Sequence, residues 1–366
     1  MKEEIKMILD MLKEEKITAE EAEKLILAME KTSNIKNLED KLEKHIKNIA
    51  AWSKNLGNRF TDIGNTIAEN SAEFINNLGE VVEKISKTYF WEPQNLIEKN
   101  YILEPDGLPY SVHFEINNGN ISIRKTDDKT LKIRAIIKSY KKNTEDLITY
   151  NDRDHLIYIK TENTTWPMSV SIEAFLPQKV FSEVFLKTKS GTISLAELQC
   201  DSLSLLNSKG NLEVYDTKAK NISINLTNGE IALNNSETFT IDSAVTNGKL
   251  SINKSAFQKA ILIASNSNIE IFEPLFRDNQ CHLEVVVTQG NIDIHLDRMD
   301  NVGYSITAKT FFGNIDIKLP NIIFLSDLRN PINKEIKAQS NKYETYKKTV
   351  TIQTRTTNGN ITIKEK

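Results

Sequence analysis

Three acidic residues at equal spacing are the strongest candidates for chemistry in this chain of 366 residues. Glu270, Asp293 and Asp316 lie 23 residues apart along the sequence. The residues two positions after them are Phe272, His295 and Lys318. If these segments stack in parallel, neighbouring carboxylates lie about 4.8 Å apart and repel each other by about 0.9 kcal/mol in water. A bound cation would relieve this repulsion, so the column is a candidate cation site, with Lys318 and solvent as the simpler compensation.

The other residue types used in catalysis show no pattern that predicts an enzyme. The histidines have neither the spacing of a zinc site nor the context of a catalytic triad; they are His45, His113, His155, His282 and His295. The glycines follow a long period and do not cluster into a phosphate-binding loop. We therefore expect no catalytic residue, no cofactor and no enzymatic activity, with a carbohydrate-active β-helix enzyme as the alternative class.

The elements that would position these residues form a long internal repeat. A short motif recurs every 19 residues from position 191 to 267 and then twice at intervals of 23, and a last copy lies 46 residues further on. The predicted corner residues of this motif are Gly119, Gly191, Gly210, Gly229, Gly248, Ser267, Gly290, Gly313 and Gly359. Repeats of this length are typical of stacked architectures.

Each copy of the motif alternates apolar and polar residues with a period of two. The residues two and four positions after the corner are apolar in every copy, as in Ile231 and Leu233. The same alternation precedes the corner, as in Ile222, Ile224 and Leu226. The pattern predicts a strand, a corner and a second strand with one buried face, and glycine supplies a backbone angle that side chains resist.

Two arrangements fit such units: a meander or sandwich of antiparallel strands, and a β-solenoid that stacks equivalent strands in parallel. The near-constant period favours the solenoid, in which like residues form continuous columns. Asparagines recur directly after the corner at Asn120, Asn211, Asn268, Asn291, Asn314 and Asn360. Residues 124–183 and 320–349 interrupt the pattern, and we expect irregular rungs or excursions there.

The run 117–123, the segment 169–177 and the later copies resemble the "putative adhesin" β-strand-repeat family, a domain family of unknown function. The resemblance covers 111–366 and implies a single-stranded, right-handed parallel β-helix. The predicted fold class is therefore mainly β, a β-solenoid with an α-helical N-terminal region.

Residues 1–30 predict a helical hairpin, with apolar stripes on both helices and a capping box at 18–21. The string 12–22 is similar to the SHOCT-like hairpin, which accompanies the repeat family in bacterial envelope-stress proteins. This resemblance implies a non-enzymatic interaction, scaffold or sensing module linked to envelope stress. A self-assembling structural or adhesin-like protein is a further alternative.

Residues 31–90 carry a second helical pattern. Trp52, Ile63, Phe74 and Ile85 recur every 11 residues and give a nearly straight apolar stripe. The stripe, within 35–88, could pack on the β domain, self-associate or lie on a membrane surface; its mixed charge favours the first two. We expect a protein partner or self-association through residues 1–90. Residues 91–110, rich in proline, are the predicted linker to the β-solenoid domain at 111–366.

The composition of the chain limits which partners and which cellular location we expect. The net charge of −3 and the pI of about 6.1 give no reason to expect a nucleic-acid partner. The charged start predicts no signal peptide, and no apolar run is long enough for a transmembrane helix. We therefore expect a cytoplasmic protein, which could also associate with a membrane surface. Cys200 and Cys281 are predicted to lie four rungs, roughly 19 Å, apart and to be free thiols.

Overall fold

The structure is a computed structural model, and it describes residues 95–105, 108–139, 148–162, 168–178, 180–298, 301–330 and 332–365. The chain divides into two compact units, 1–91 and 92–366, and every described residue belongs to the second. The predicted hairpin at 1–30 and the predicted amphipathic helix at 31–90 lie outside the described residues.

The described residues form strands and one short 3-10 helix, Tyr343–Thr345. The strands are β1 (Asn95–Leu103), β2 (Ser111–Asn118), β3 (Ile121–Thr126), β4 (Leu131–Ser139), β5 (Ile148–Asn151), β6 (Leu156–Thr161), β7 (Met168–Pro177), β8 (Val180–Ser190), β9 (Ile193–Ala196), β10 (Gln199–Lys209), β11 (Leu212–Tyr215), β12 (Lys218–Asn234), β13 (Thr240–Asn253), β14 (Ala256–Phe257), β15 (Lys259–Phe272), β16 (Leu275–Phe276), β17 (Gln280–Gln289), β18 (Ile292–Leu296), β19 (Val302–Phe312), β20 (Ile315–Lys318), β21 (Ile322–Arg329), β22 (Lys334–Ser340), β23 (Lys348–Asn358) and β24 (Ile361–Glu365).

The strands stack in parallel on two faces that meet at the corner residues. On the first face the parallel order is β6, β2, β8, β10, β12, β13, β15, β17, β23, β19. On the second face it is β7, β3, β9, β11, β12, β13, β15, β18, β24, β20. The long strands β12, β13 and β15 run through the corner and belong to both faces. A third, short face holds β14 and β16. The prediction of a mainly β, solenoid-like repeat is confirmed.

Alternation within each strand sends one set of side chains into a single continuous core. Along β13, for example, Ile241, Leu250 and Ile252 are buried while their neighbours are at least partly exposed. Equivalent isoleucine, leucine and valine residues of successive rungs form the inward columns of the core. The two cysteines belong to this core, and both are buried free thiols, as predicted.

Stacking order and chain order differ near both ends of the solenoid. The rung of β2 and β3 lies between that of β6 and β7 and that of β8 and β9. Similarly, the C-terminal rung of β23 and β24 lies between that of β17 and β18 and that of β19 and β20. The rungs that follow Gly290 and Gly313 are therefore not neighbours, because the rung of Gly359 separates them.

Antiparallel strands close both ends. At one end β5 pairs with β6, β4 pairs with β7, and β1 pairs with β4. At the other end β22 pairs with β19, and β21 pairs with β22. Strands β4 to β7 lie within 124–183 and strands β21 and β22 within 320–349, where the sequence pattern predicted irregular rungs or excursions. A change from parallel to antiparallel pairing ends the repeat, so that further equivalent rungs cannot simply be added.

The prediction of a linker at 91–110 is wrong for its central part, because β1 occupies Asn95–Leu103. Ile97, Tyr101 and Leu103 face the core, and the ring of Tyr101 stacks on that of Tyr150 at 3.9 Å. Leu96 and Ile102 are also apolar but lie on the exposed face. Apolar residues at both parities hide the period of two that would have indicated a strand.

The predicted corner residues form one column along the solenoid. The stacking order is Gly119, Gly191, Gly210, Gly229, Gly248, Ser267, Gly290, Gly359, Gly313. At each glycine of this column, a Cβ would overlap the backbone carbonyl of the neighbouring rung. Gly229 and Gly248 also have φ angles of 139° and 138°, which side chains rarely adopt. Ser267 fits because its φ is not positive, but its buried hydroxyl has no hydrogen-bond partner.

Asparagine side chains reinforce this column from outside. The Oδ1 atom of Asn291 accepts a hydrogen bond of 2.9 Å from the backbone N–H of Asn360, and that of Asn360 accepts one of 2.9 Å from the N–H of Asn314. Asn120, Asn211 and Asn268 make the same kind of bond to the next rung. The recurrence of asparagine after the corner thus has a structural cause.

We expect Gly248→Ala to lower the free energy of unfolding by about 2 kcal/mol or more, and the Tm by about 4 °C or more, because the new methyl group meets the carbonyl of Gly229. Ser267→Ala, in the next rung of the same column, is the matched control. It removes an unpaired buried hydroxyl and should leave the Tm unchanged or raise it. Thermal unfolding of the two variants measures the difference; equal losses would contradict the corner column.

Candidate functional site

The three predicted carboxylates do not lie in successive rungs. Glu270 is the register partner of Asp293, as expected, but Asp293 pairs with Thr362, and Thr362 pairs with Asp316. The inserted C-terminal rung therefore separates Asp316 from the other two. The expected unbroken column of Glu270, Asp293 and Asp316 is corrected to a pair and a single carboxylate.

Lysines compensate both parts of this broken column. The Nζ atom of Lys249 lies 2.8 Å from Oε1 of Glu270, and that of Lys318 lies 2.5 Å from Oδ2 of Asp316. Beside them the rings of Phe272 and His295 pack at 4.5 Å. Burial and, secondarily, the positive charge of Lys364 lower the pKa of His295, which favours the neutral form of this ring. Glu270 and Asp316 are thus engaged in ion pairs with lysines, and the column does not form a set of free carboxylates that could bind a cation.

The remaining histidines in strands have structural partners. Nε2 of His113 lies 3.0 Å from Oε2 of Glu183, and its ring packs against Phe185. Nε2 of His282 lies 3.7 Å from Oε2 of Glu284. Within the described part of the chain, no three histidine, cysteine or acidic side chains are grouped so that they could hold a metal ion.

We expect millimolar calcium to leave the Tm unchanged, because the lysine partners and Thr362 already remove the charge repulsion that a cation would relieve. Thermal unfolding with and without the ion measures this directly. As the control, Thr362→Asp rebuilds the continuous carboxylate column and should make the Tm sensitive to calcium. A calcium-induced rise of the wild-type Tm would contradict this account of the site.

A cluster of exposed apolar side chains marks the C-terminal end of the solenoid. Among the described residues, six of the fourteen exposed large apolar side chains lie within positions 312–332. This terminal apolar patch consists of Phe312, Ile323, Phe324, Leu325, Leu328 and Ile332. Four of the six belong to β21, which pairs with β22 on one side and has no partner strand in the described residues on the other. The patch thus combines apolar side chains with a free strand edge.

The exposure of Phe324 follows from the end of the stack, whereas Ile323 and Leu328 lie on the outer face of β21. Phe324 is the register partner of the buried Ala338, so its ring lies on the core side of the sheet, yet 49% of it is exposed. In the body of the solenoid the next rung would cover such a ring. A register shift between Phe324 and Ser326 then breaks the alternation. The patch could not be predicted from the sequence, because an apolar run such as 322–325 is typical of a buried strand.

Comparison with known families agrees with this architecture. The Toastrack DUF4097 family model matches residues 111–364, and a SHOCT-like domain model matches residues 3–34. The chain therefore belongs to the Toastrack DUF4097 family of β-repeat proteins. Both resemblances seen in the sequence, to the adhesin-like repeat family and to the SHOCT-like hairpin, are confirmed.

Solved structures similar to this chain include proteins of Clostridium sporogenes and Parabacteroides distasonis. A "putative cell adhesion protein" of Clostridium sporogenes is 14% identical, with a TM-score of 0.24, over 74% of this chain and 100% of its own. A "putative lipid binding protein" of Parabacteroides distasonis is 10% identical, with a TM-score of 0.39, over 75% of this chain and 97% of its own. No curated protein sequence matches the chain. Within the described residues, no helix is long and apolar enough to cross a membrane.

Proposed function

We propose that the protein is a non-enzymatic, adhesin-like binding scaffold that contacts a protein partner through its terminal apolar patch. The observation that carries the proposal is the concentration of exposed apolar side chains on the free edge of β21. Clusters of exposed apolar side chains often mark interaction sites. The rigid stack of parallel rungs holds this edge in a fixed orientation.

The partner that fits a free strand edge is an extended segment of another protein. Backbone N–H and C=O groups on that side of β21 have no partner strand within the described ranges, and addition of a further strand would satisfy them. The side chains of Leu325 and Leu328 would then supply apolar contacts beside the added strand. Asp327 and Arg329 are held in an ion pair of 2.8 Å within β21 itself.

The link to envelope stress and the cytoplasmic, membrane-associated location are parts of the same proposal. The SHOCT-like match at 3–34 beside a Toastrack domain supports them, since this combination resembles bacterial envelope-stress proteins. For residues 1–90 we propose capture of a protein partner or self-association. Within them, residues 35–88 are the segment that would bind a membrane surface. Co-sedimentation with liposomes, with and without residues 1–90, separates these roles.

A photo-crosslinking amino acid placed at Leu325 tests the proposed surface in living cells. We expect a defined crosslinked product from this position, because the side chain is exposed on the free edge. The same amino acid at Tyr215, an exposed aromatic residue in the body of the solenoid, is the control and should give none.

Crosslinks at neither position, or equal crosslinks at both, would contradict a binding surface at the end of the solenoid.

A panel of polysaccharides tests the enzymatic alternative. Released reducing ends or unsaturated products would overturn the non-enzymatic part of the proposal.

A further inference from the structure

An open cavity of about 650 Å³ lies among the loops at the C-terminal end of the solenoid. It is lined by three asparagines, two lysines, a threonine and a tyrosine: Asn301, Asn321, Asn341, Lys342, Lys347, Thr345 and Tyr346. We call it the terminal polar pocket. Its size is that of a small-molecule site, but its lining is polar rather than apolar.

The three asparagine amides are exposed and form no hydrogen bond with any residue in the described ranges. Their backbone is nevertheless well fixed. Asn301 and Asn321 have φ angles of 65° and 55°, and the N–H of Asn341 donates a 2.8 Å hydrogen bond to the carbonyl of Asn321. Asparagine tolerates this left-handed conformation better than most residues. Each amide offers two donors and one acceptor to a ligand.

Tyr346 provides a fixed aromatic surface. Its ring packs against the backbone of Gly303, where a Cβ would come within 2.9 Å of the ring. The turn that carries it is held by hydrogen bonds from the N–H and the hydroxyl of Thr345 to the carbonyl of Lys342, at 2.9 and 2.8 Å. Because the ring also lines the cavity, it presents a surface there on which the apolar side of a ring-shaped ligand can stack.

Among the described residues, the lining of the pocket holds two lysines and no acidic side chain. Lys342 and Lys347 are exposed, and neither forms an ion pair in the part of the chain that the structure describes. Glu344 is the acidic residue of the same turn and is also exposed. Unpaired ammonium groups beside a polar cavity favour a ligand with a negative charge.

We infer that the terminal polar pocket binds an anionic saccharide, a sugar that carries a carboxylate, sulfate or phosphate group. The Tyr346 ring would stack on the apolar face of the sugar, the asparagine amides would bond to its hydroxyls, and the lysines would pair with its anionic group. A free inorganic anion would leave the ring and most amides unused. This inference goes beyond the proposed function, because it adds to the binding scaffold a second site with a ligand class of its own.

A glycan array tests the inference with the full-length protein. It carries oligosaccharides with uronate, sulfate or phosphate groups, together with their neutral counterparts, and hits are measured by calorimetry. We expect binding of an anionic glycan and at least tenfold weaker binding of its neutral counterpart. Inorganic phosphate is titrated separately, and it should bind at least tenfold more weakly than the glycan.

Asn321→Gly removes one amide and keeps the positive φ angle, so the fold should be unaffected. We expect it to weaken glycan binding about tenfold, the usual effect of losing one or two hydrogen bonds. Asn235→Gly is the matched control, since Asn235 also has a positive φ, of 49°, but lies far from the pocket in the body of the solenoid. Lys347→Ala should weaken binding and reduce its dependence on salt.

Three outcomes would overturn the inference: no anionic glycan binds, phosphate binds as tightly as the glycan, or Asn321→Gly and Lys347→Ala bind like the wild type. If crosslinks at Leu325 persist in any of these cases, only the saccharide site is lost. Absence of those crosslinks as well would remove the proposed function itself.

Discussion

Close approach of the backbone at the corner column is the constraint from which the rest of the structure follows. A side chain at a corner such as Gly229 or Gly248 would overlap the carbonyl of the next rung, so neighbouring rungs lie directly above one another. That register places like residues in columns, with isoleucine, leucine and valine inside and the asparagine hydrogen bonds outside. The hydroxyl of Ser267, buried without a partner, shows what a side chain costs at this position.

Each of several rungs has a second corner after its second strand, and hydrogen bonds from backbone N–H groups to serine hydroxyls stabilise this corner. Glu197, Asp216, Asn235, Lys254 and Glu273 all have positive φ angles and stand 19 residues apart. Beside them the hydroxyls of Ser236 and Ser255 accept hydrogen bonds from the backbone N–H groups of Thr217 and Ser236 in the preceding rungs. Buried polar groups are tolerated here because each completes the hydrogen bonding of the turn. The two corners together hold the faces of the solenoid at a fixed angle. The terminal apolar patch and the terminal polar pocket are therefore attached to a rigid body.

The sequence predicts the repeat well because its information is local. The alternation around Gly210 or Gly229 defines a strand, a corner and an inward face without reference to other rungs. The order of the rungs cannot be predicted in this way. The copies at Gly290, Gly313 and Gly359 carry the same pattern, so any of them could stack on another. This is why the carboxylate of Asp316 was expected beside Asp293, where the structure has Thr362. The exposed side of β21 and the terminal polar pocket could not be predicted for the same reason, because both depend on which rung is the last.

The C-terminal rung is inserted between its two predecessors, and two pairs of engineered cysteines can test this order of rungs. Asp293→Cys with Thr362→Cys joins neighbouring rungs about 4.8 Å apart, within reach of a disulfide, whereas Asp293→Cys with Asp316→Cys spans two rungs, about 9.6 Å. The native cysteines are buried and can stay in both variants. Mild oxidation should link the first pair and leave the second reduced. Linkage of the second pair but not the first would show that the rungs stack in chain order and would contradict the account.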